Sequence, residues 1–398
     1  MKPYGKAFAA AAILFAGVAA FAPSPGASSE HFVIVNDNDI TGTNYGTVLK
    51  LTGTKQNPLL PQVASLATYV PSAAGGPVPS VQVTAVGQDV CAFFAEAGFS
   101  GPNVVSSFKY PSLSLVGNYT DPQLPPTEGT AAIVVSGHYL VASYGAFPFY
   151  LATWQIGAGC TLTLLESYET PYQILNMAAT PNGNALLVSD YGDSSVDSFA
   201  IGSGGTLTER GPYGVVNAEA AWGLDITADS KLAIFDMQGF GPPYDDNETE
   251  INTFVINADG SLRAQGNFGA DGSLGDAHSG GWVRLSPGQK FLFVSSGTNV
   301  TTLNFTESPL NLSYSGCLTA LRIPNGESTL NAGTMATVGT TGAGSGIYIA
   351  ENFDFSTIAL LSVNPTTGCT TETASSPFLL SDPNAGIWSL VSWPPRPF

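Results

Sequence analysis

The stretch "LLVSDYGDSSVDSFAIGSGGTL" (Leu186–Leu207) reads as a strand, a turn, a second strand, a Gly-rich turn and the start of a third strand. A weakened copy of it recurs about every fifty residues. "FLFVSSGTNVTTLNF" (Phe291–Phe305) is one copy and "IYIAENFDFSTIALLSVNPTTGCT" (Ile347–Thr370) is another. Aligned on their most hydrophobic strand, the copies define a four-strand unit. Its first strand is apolar and ends in a turn, as in "NMAATPNGN", "WGLDITADSK" and "GWVRLSPGQK". The second strand is the most apolar ("ALLVSD", "LAIFD", "FLFVSS"). The third reads "SSVDSFAI", "EINTFVI" or "TVLKLTG". The fourth follows a Gly-rich or Asn/Asp-rich turn ("GSGGTLTE", "NADGSLRA"). No segment combines helix caps with a 3.6-residue apolar period.

First strands are expected near Val81, Ala131, Asn176, Ala221, Gly281 and Met335. A seventh lies at Ile387, in "IWSLVSW", where the chain stops. Its partners stand at the other end: "HFVIVNDND" (His31–Asp39) reads as a second strand and "GTVLKLTG" as a third. The C-terminal strand therefore completes the N-terminal sheet and closes a ring of seven, which removes open sheet edges. The expected fold is an all-β, seven-bladed propeller of four-stranded antiparallel blades.

Composition agrees with a folded, acidic, turn-rich chain. Apolar residues make up 44% and charged residues only 11%, with 45 Gly and 28 Pro. The net charge of −18, with 12 Lys+Arg, argues against nucleic acid and anionic membrane partners. The N-terminal "MKPYGKAFAAAAILFAGVAAFAPSPGASS" has Lys2 and Lys6 before an uncharged run from Ala7 to Ala22, then small residues. It reads as a signal peptide over residues 1–27, too short for the ~20 residues of a membrane span. Cleavage is expected at Ala22 or near Ala27, leaving residues 28–398 as one propeller domain. The mature protein is expected outside the cytoplasm (secreted, periplasmic or at the cell surface), as a monomer with no membrane span.

Export permits disulfides among Cys91, Cys160, Cys317 and Cys369, for which three full pairings exist. Three share a context, "GAGCTLT", "YSGCLTA" and "TTGCTTE", each after a Gly and opening a strand. Equivalent positions in a radial repeat lie far apart, so the expectation is one or two bridges, with the pairing left open. Asn118, Asn247, Asn299, Asn304 and Asn311 head Asn-x-Ser/Thr sequons, which do not by themselves establish glycosylation.

The strand–turn pattern resembles the Tyr-Val-Thr-Asn repeat propellers and the related lactonase-type seven-bladed propellers. "TPNGNALLVSD" and "SPGQKFLFVSS" match the Ser/Thr-Pro-x-Gly turn and second strand of that group. "AHSGGWVRLSPGQKFLFVSS" resembles its stretch in which a His precedes a first strand. The resemblance covers nearly all of the mature chain. It implies a fold more than a function, because one propeller serves enzymes, sensors and scaffolds alike.

In an up-and-down blade, the loops joining strands two and three share a rim with those entering strand one, and ligands of this architecture use that rim and the channel mouth. The residues closing the second strands are Asp37, Glu96, Tyr144, Asp190, Asp236, Ser296 and Glu351. Five of these seven are acidic. They read either as a ligand-binding rim for a hard cation such as calcium, or as turn residues that accept nearby backbone N–H groups. Asp245, Asp246 and Glu248 in "GPPYDDNETEIN" form a weaker calcium candidate that lacks the spacing of a calcium loop. No cofactor follows from these residues with certainty.

Three His residues, His31, His138 and His278, fall in distant blades, which argues against a three-His metal centre. His278 enters the sixth blade's first strand, with Asp276 two residues before it and Glu219 in the equivalent loop one blade earlier. This set suits general acid–base work on a lactone, or a plain surface loop. Asp225 and Arg284 occupy equivalent positions on adjacent first strands. They are expected to line the channel with opposite signs or to pair between blades; Arg284 would be the oxyanion-stabilising cation of a lactonase site. With no nucleophile motif, metal triad or phosphate loop, the leading expectation is a lactonase-like binding or scaffold module for a small molecule, glycan or protein. The alternatives are a lactone hydrolase or isomerase, with His278, Asp276, Glu219 and Arg284 as its catalytic set, and a structural cell-surface protein.

Overall fold

The computed structural model describes residues 30–38, 44–54, 57–69, 80–96, 103–126, 129–145, 148–190, 195–215, 220–238, 250–269, 282–295, 299–322, 335–339, 347–354, 357–381 and 387–394. They form seven antiparallel sheets, each with a four-strand path, arranged as the blades of a propeller. The inner strands are Ile387–Trp393 (blade I), Val81–Val86 (II), Thr130–Ser136 (III), Ile174–Ala179 (IV), Ala220–Ile226 (V), Val283–Leu285 (VI) and Met335–Gly339 (VII). Each begins within a few residues of its position expected from the repeat. One short hairpin, Thr52–Thr54 with Asn57–Leu59, decorates blade I.

Ring closure is explicit in the register. Inner strand Ile387–Trp393 pairs antiparallel with Phe32–Asn38, with Phe32 opposite Trp393, Ile34 opposite Val391 and Asn36 opposite Ser389. Phe32–Asn38 then pairs with Asn44–Lys50, and that strand with Gln62–Tyr69. Blade I is thus built from both ends of the chain.

The period-2 alternation of a strand decides which neighbour each side chain meets. Val33 and Val35 pack with Ile358 and Leu360 of blade VII, whereas Phe32 and Ile34 pack with Ala92, Phe94 and Phe108 of blade II. The same rule gives one apolar cluster at each of the seven seams. Second strands face a seam on both sides, which is why they read as continuous apolar runs. Ala185–Asp190 is buried throughout.

Each hairpin between the third and outer strands seats on the preceding blade. Gly205 (φ +79°) in blade IV would drive a Cβ to 3.0 Å from the Tyr139 ring of blade III. Gly368 (φ +74°) in blade VII abuts the Phe291 ring of blade VI in the same way. Both disulfides reinforce this contact. Cys91 of blade II joins Cys160, at the hairpin of blade III, with Cα atoms 5.4 Å apart. Cys317 of blade VI joins Cys369, at the hairpin of blade VII, with Cα atoms 5.3 Å apart. Two bridges form, at the upper end of the expected number. Cys317 is not equivalent to Cys160 and Cys369, however. It lies inside the outer strand Leu310–Ala320 rather than at its start, opposite Thr302 at a register shift. That placement lets two cysteines of similar local sequence meet.

Candidate functional site

The seven inner strands surround a central cavity of about 370 Å³. Small side chains on the inner strands, such as Ala178, Ala336, Ser136 and Ser389, leave it open, and every blade contributes to its wall. Hydrogen bonds run from blade to blade around it. Ser389 Oγ accepts from Val81 N (3.2 Å), and Ser80 Oγ donates to the Ile133 carbonyl (3.3 Å). Ser136 Oγ donates to the Gly183 carbonyl (3.4 Å), and Asn182 N donates to Ser230 Oγ (3.0 Å). Ala228 N donates to Gln289 Oε1 at 2.9 Å.

Arg284 and Asp225 are the charged residues of this wall among the described residues. Arg284 Nη1 lies 3.5 Å from Asp225 Oδ1, so blade VI reaches blade V. Its Nε and Nη2 donate to the Met335 carbonyl at 3.3 and 3.1 Å, so the same guanidinium also reaches blade VII. Asp225 accepts Leu285 N (2.7 Å) and Ile226 N (3.0 Å). The pair both lines the channel and ties three blades. Replacing Arg284 by Met leaves a nearly buried Asp225 without that cation. The expected cost is about 2 kcal/mol, below the full cost of breaking a buried pair because Arg284 is 29% exposed. Urea unfolding of Arg284→Met and Arg284→Lys checks it: Lys keeps the charge but loses the fork to Met335, so it falls between wild type and Met.

The structure buries the described members of the sequence-derived rim. Glu96 and Asp236 are 0% exposed, and Tyr144 and Asp190 are 2%. None of these four lines the central cavity. Asp190 accepts Ser195 Oγ at 3.3 Å. Glu96 accepts Thr68 Oγ1 at 2.9 Å and Asn44 Nδ2 at 3.3 Å from blade I. Burial pushes its carboxyl up to about 7, against the pull of the polar Ser106, Thr68 and Asn44 side chains beside it. The side chains of Asp37 and Glu351 lie outside the description, as do residues Ser296, Glu219, Asp276, His278, Asp245, Asp246 and Glu248. Among the described residues no three His, Cys, Asp or Glu side chains converge as metal ligands. No helix among them is long and apolar enough to cross a membrane.

Sequence reasoning passed over Ser80, Gln82, Asn176 and Trp282, all of which line the channel. Their signal is faint: a polar or bulky residue on an inner strand looks the same whether it faces a seam or the axis.

No protein-family model matches the chain. A curated 6-phosphogluconolactonase of Pectobacterium atrosepticum is 45% identical over 58 residues, which is 15% of this chain and 18% of that protein. The matched segment thus spans under a fifth of the relative's length. Among solved structures, a candidate 6-phosphogluconolactonase of Bacteroides fragilis superposes with a TM-score of 0.64 at 18% identity, over 93% of this chain and 99% of that one. The periplasmic gluconolactonase of Pseudomonas aeruginosa superposes with a TM-score of 0.60 at 13% identity, over 87% and 97%. At such identities the likeness is one of fold. By its blades, its closure and these neighbours, the chain has a seven-bladed β-propeller fold.

Proposed function

We propose that the protein is an extracytoplasmic binding propeller whose ligand is a small, uncharged, polyhydroxylated molecule held at the mouth of the central channel. The observation that supports this most is the channel wall itself. It offers hydroxyl, amide and indole groups around about 370 Å³, a volume suited to a compact ligand. Its cation, Arg284, is already engaged by Asp225 and the Met335 carbonyl. A phosphorylated ligand would need that guanidinium and would meet a protein of net charge −18.

A second reading, hydrolysis of a neutral sugar lactone, draws support from the fold shared with proteins described as gluconolactonases. In it, His278 acts as general acid–base, Asp276 or Glu219 orients it, and Arg284 stabilises the oxyanion. One experiment weighs both. The purified mature protein is titrated calorimetrically with neutral sugars, sugar lactones, their acids and their phosphates, and lactone turnover is followed alongside. Saturable binding of neutral members without turnover is the expected result. Turnover reduced about a hundredfold in His278→Ala, with unchanged melting, replaces binding by catalysis. Selective binding of phosphates overturns both readings.

A further inference from the structure

We propose that two blade seams are locked by protonation of buried carboxyls, Glu96 between blades I and II and Asp197 between blades III and IV, making the propeller tightest in mildly acidic surroundings. Glu96 is 0% exposed and Asp197 is 1%. Neither takes part in any ion pair of the described structure. Each carries one oxygen that meets no donor, Glu96 Oε1 and Asp197 Oδ2. A buried carboxylate without a cation, and with a lone oxygen left bare, is more stable as the neutral acid.

Among the described residues, the surroundings of Glu96 are neutral. Blade I presents Asn44 and Thr68 to it, and Ser106 adjoins it on blade II, with its hydroxyl donated to Asn118 Oδ1 at 2.8 Å. Asn36, on the same face of blade I as Asn44, donates its amide to the Ala95 and Ser80 carbonyls at 2.8 and 3.1 Å. The Oδ1 atoms of Asn36 and Asn44 are also buried without a donor. This seam therefore holds more acceptors than donors, and a carboxyl proton adds the kind of donor it lacks.

The surroundings of Asp197 are acidic. Its Oδ1 accepts its own Ser198 N at 2.7 Å. Glu209 and Asp190, both on blade IV, raise its proton affinity by like charge. Tyr168 of blade III faces the same seam and donates its hydroxyl to Glu209 Oε2 at 2.6 Å. Burial first, then Glu209 and Asp190, push Asp197 up to about 7, opposed by backbone hydrogen bonds from Ser198 and Gly211.

Both carboxyls bind a proton more tightly folded than unfolded. The stability they lend is whole below their unfolded values, 4.5 for Glu96 and 3.8 for Asp197, and is lost as pH rises through about 7. The melting temperature of the wild type should then fall by roughly 5–10 °C between pH 5 and pH 8.5. Melting is measured in high salt, which screens the long-range repulsion of a −18 protein but not a buried charge. Glu96→Gln with Asp197→Asn should remove more than half of that slope and raise melting at pH 8.5. A slope of opposite sign, or one unchanged in the double variant, overturns the proposal. Should that variant fail to fold, carboxyl ¹³C titration of the wild type decides. Two midpoints near 7 uphold it, and ordinary carboxyl midpoints throughout refute it.

Discussion

Deleting Ile387–Phe398 leaves insoluble or unfolded protein. The segment supplies the inner strand of blade I, so its loss strips Phe32–Asn38 of one hydrogen-bonded neighbour along its length. It removes Leu390 from the seam with blade VII, and Val391 and Trp393 from the seam with blade II. The link from Val81 N to Ser389 Oγ goes as well. At about 2 kcal/mol for each apolar side chain, the side-chain loss alone approaches the 5–15 kcal/mol by which whole domains are stable. The exposed edge would carry Phe32, Val33, Ile34 and Val35, all buried in the closed ring. An apolar edge with free backbone groups recruits other chains. Soluble yield and a circular-dichroism melt measure the outcome. A soluble truncation that melts like the intact protein would show that the ring does not depend on this strand.

Removing the Cys91–Cys160 bridge costs about 4 kcal/mol, from the chain entropy of freeing a closed loop of this length. The two cysteines are 69 residues apart and both fully buried. The bridge acts across a seam rather than within a blade. It holds the hairpin of blade III on blade II, beside the 2.6 Å hydrogen bond from Ser107 Oγ to the Cys160 carbonyl. The Cys91→Ala, Cys160→Ala variant should show a lower urea midpoint and a steeper slope, because the freed loop lets the unfolded chain expose more surface. A second pair, Cys317→Ala with Cys369→Ala, closes a separation of 52 residues and should cost a similar amount. A double variant within 0.5 kcal/mol of wild type would mean that seam packing alone holds the hairpin.

The acidic ring shows how one local pattern splits in three dimensions. Glu96 and Asp190 end equivalent strands, yet Glu96 meets amide and hydroxyl groups of blade I while Asp190 meets its own blade's Ser195. Asp197 belongs to no site motif and stands alone among small and apolar residues in "SSVDSFAI". An acid at a seam-facing position of a buried third strand is the signal that marks it.

The sequence by itself determined the strands, their turns, the count of seven blades and the closing partnership of the two termini. These follow from alternation, from Gly, Asn and Asp at turns, and from repetition, all of which act over a few residues or recur at a fixed period. It also placed Asp225 and Arg284 on adjacent inner strands. Tertiary structure alone decided that their side chains meet at 3.5 Å, that Cys317 finds Cys369, and that Glu96, Asp190 and Asp236 are buried. Each of these depends on how neighbouring blades are rotated and stacked about the axis. That arrangement is set by the packing of whole sheet faces, which no local run of residues encodes.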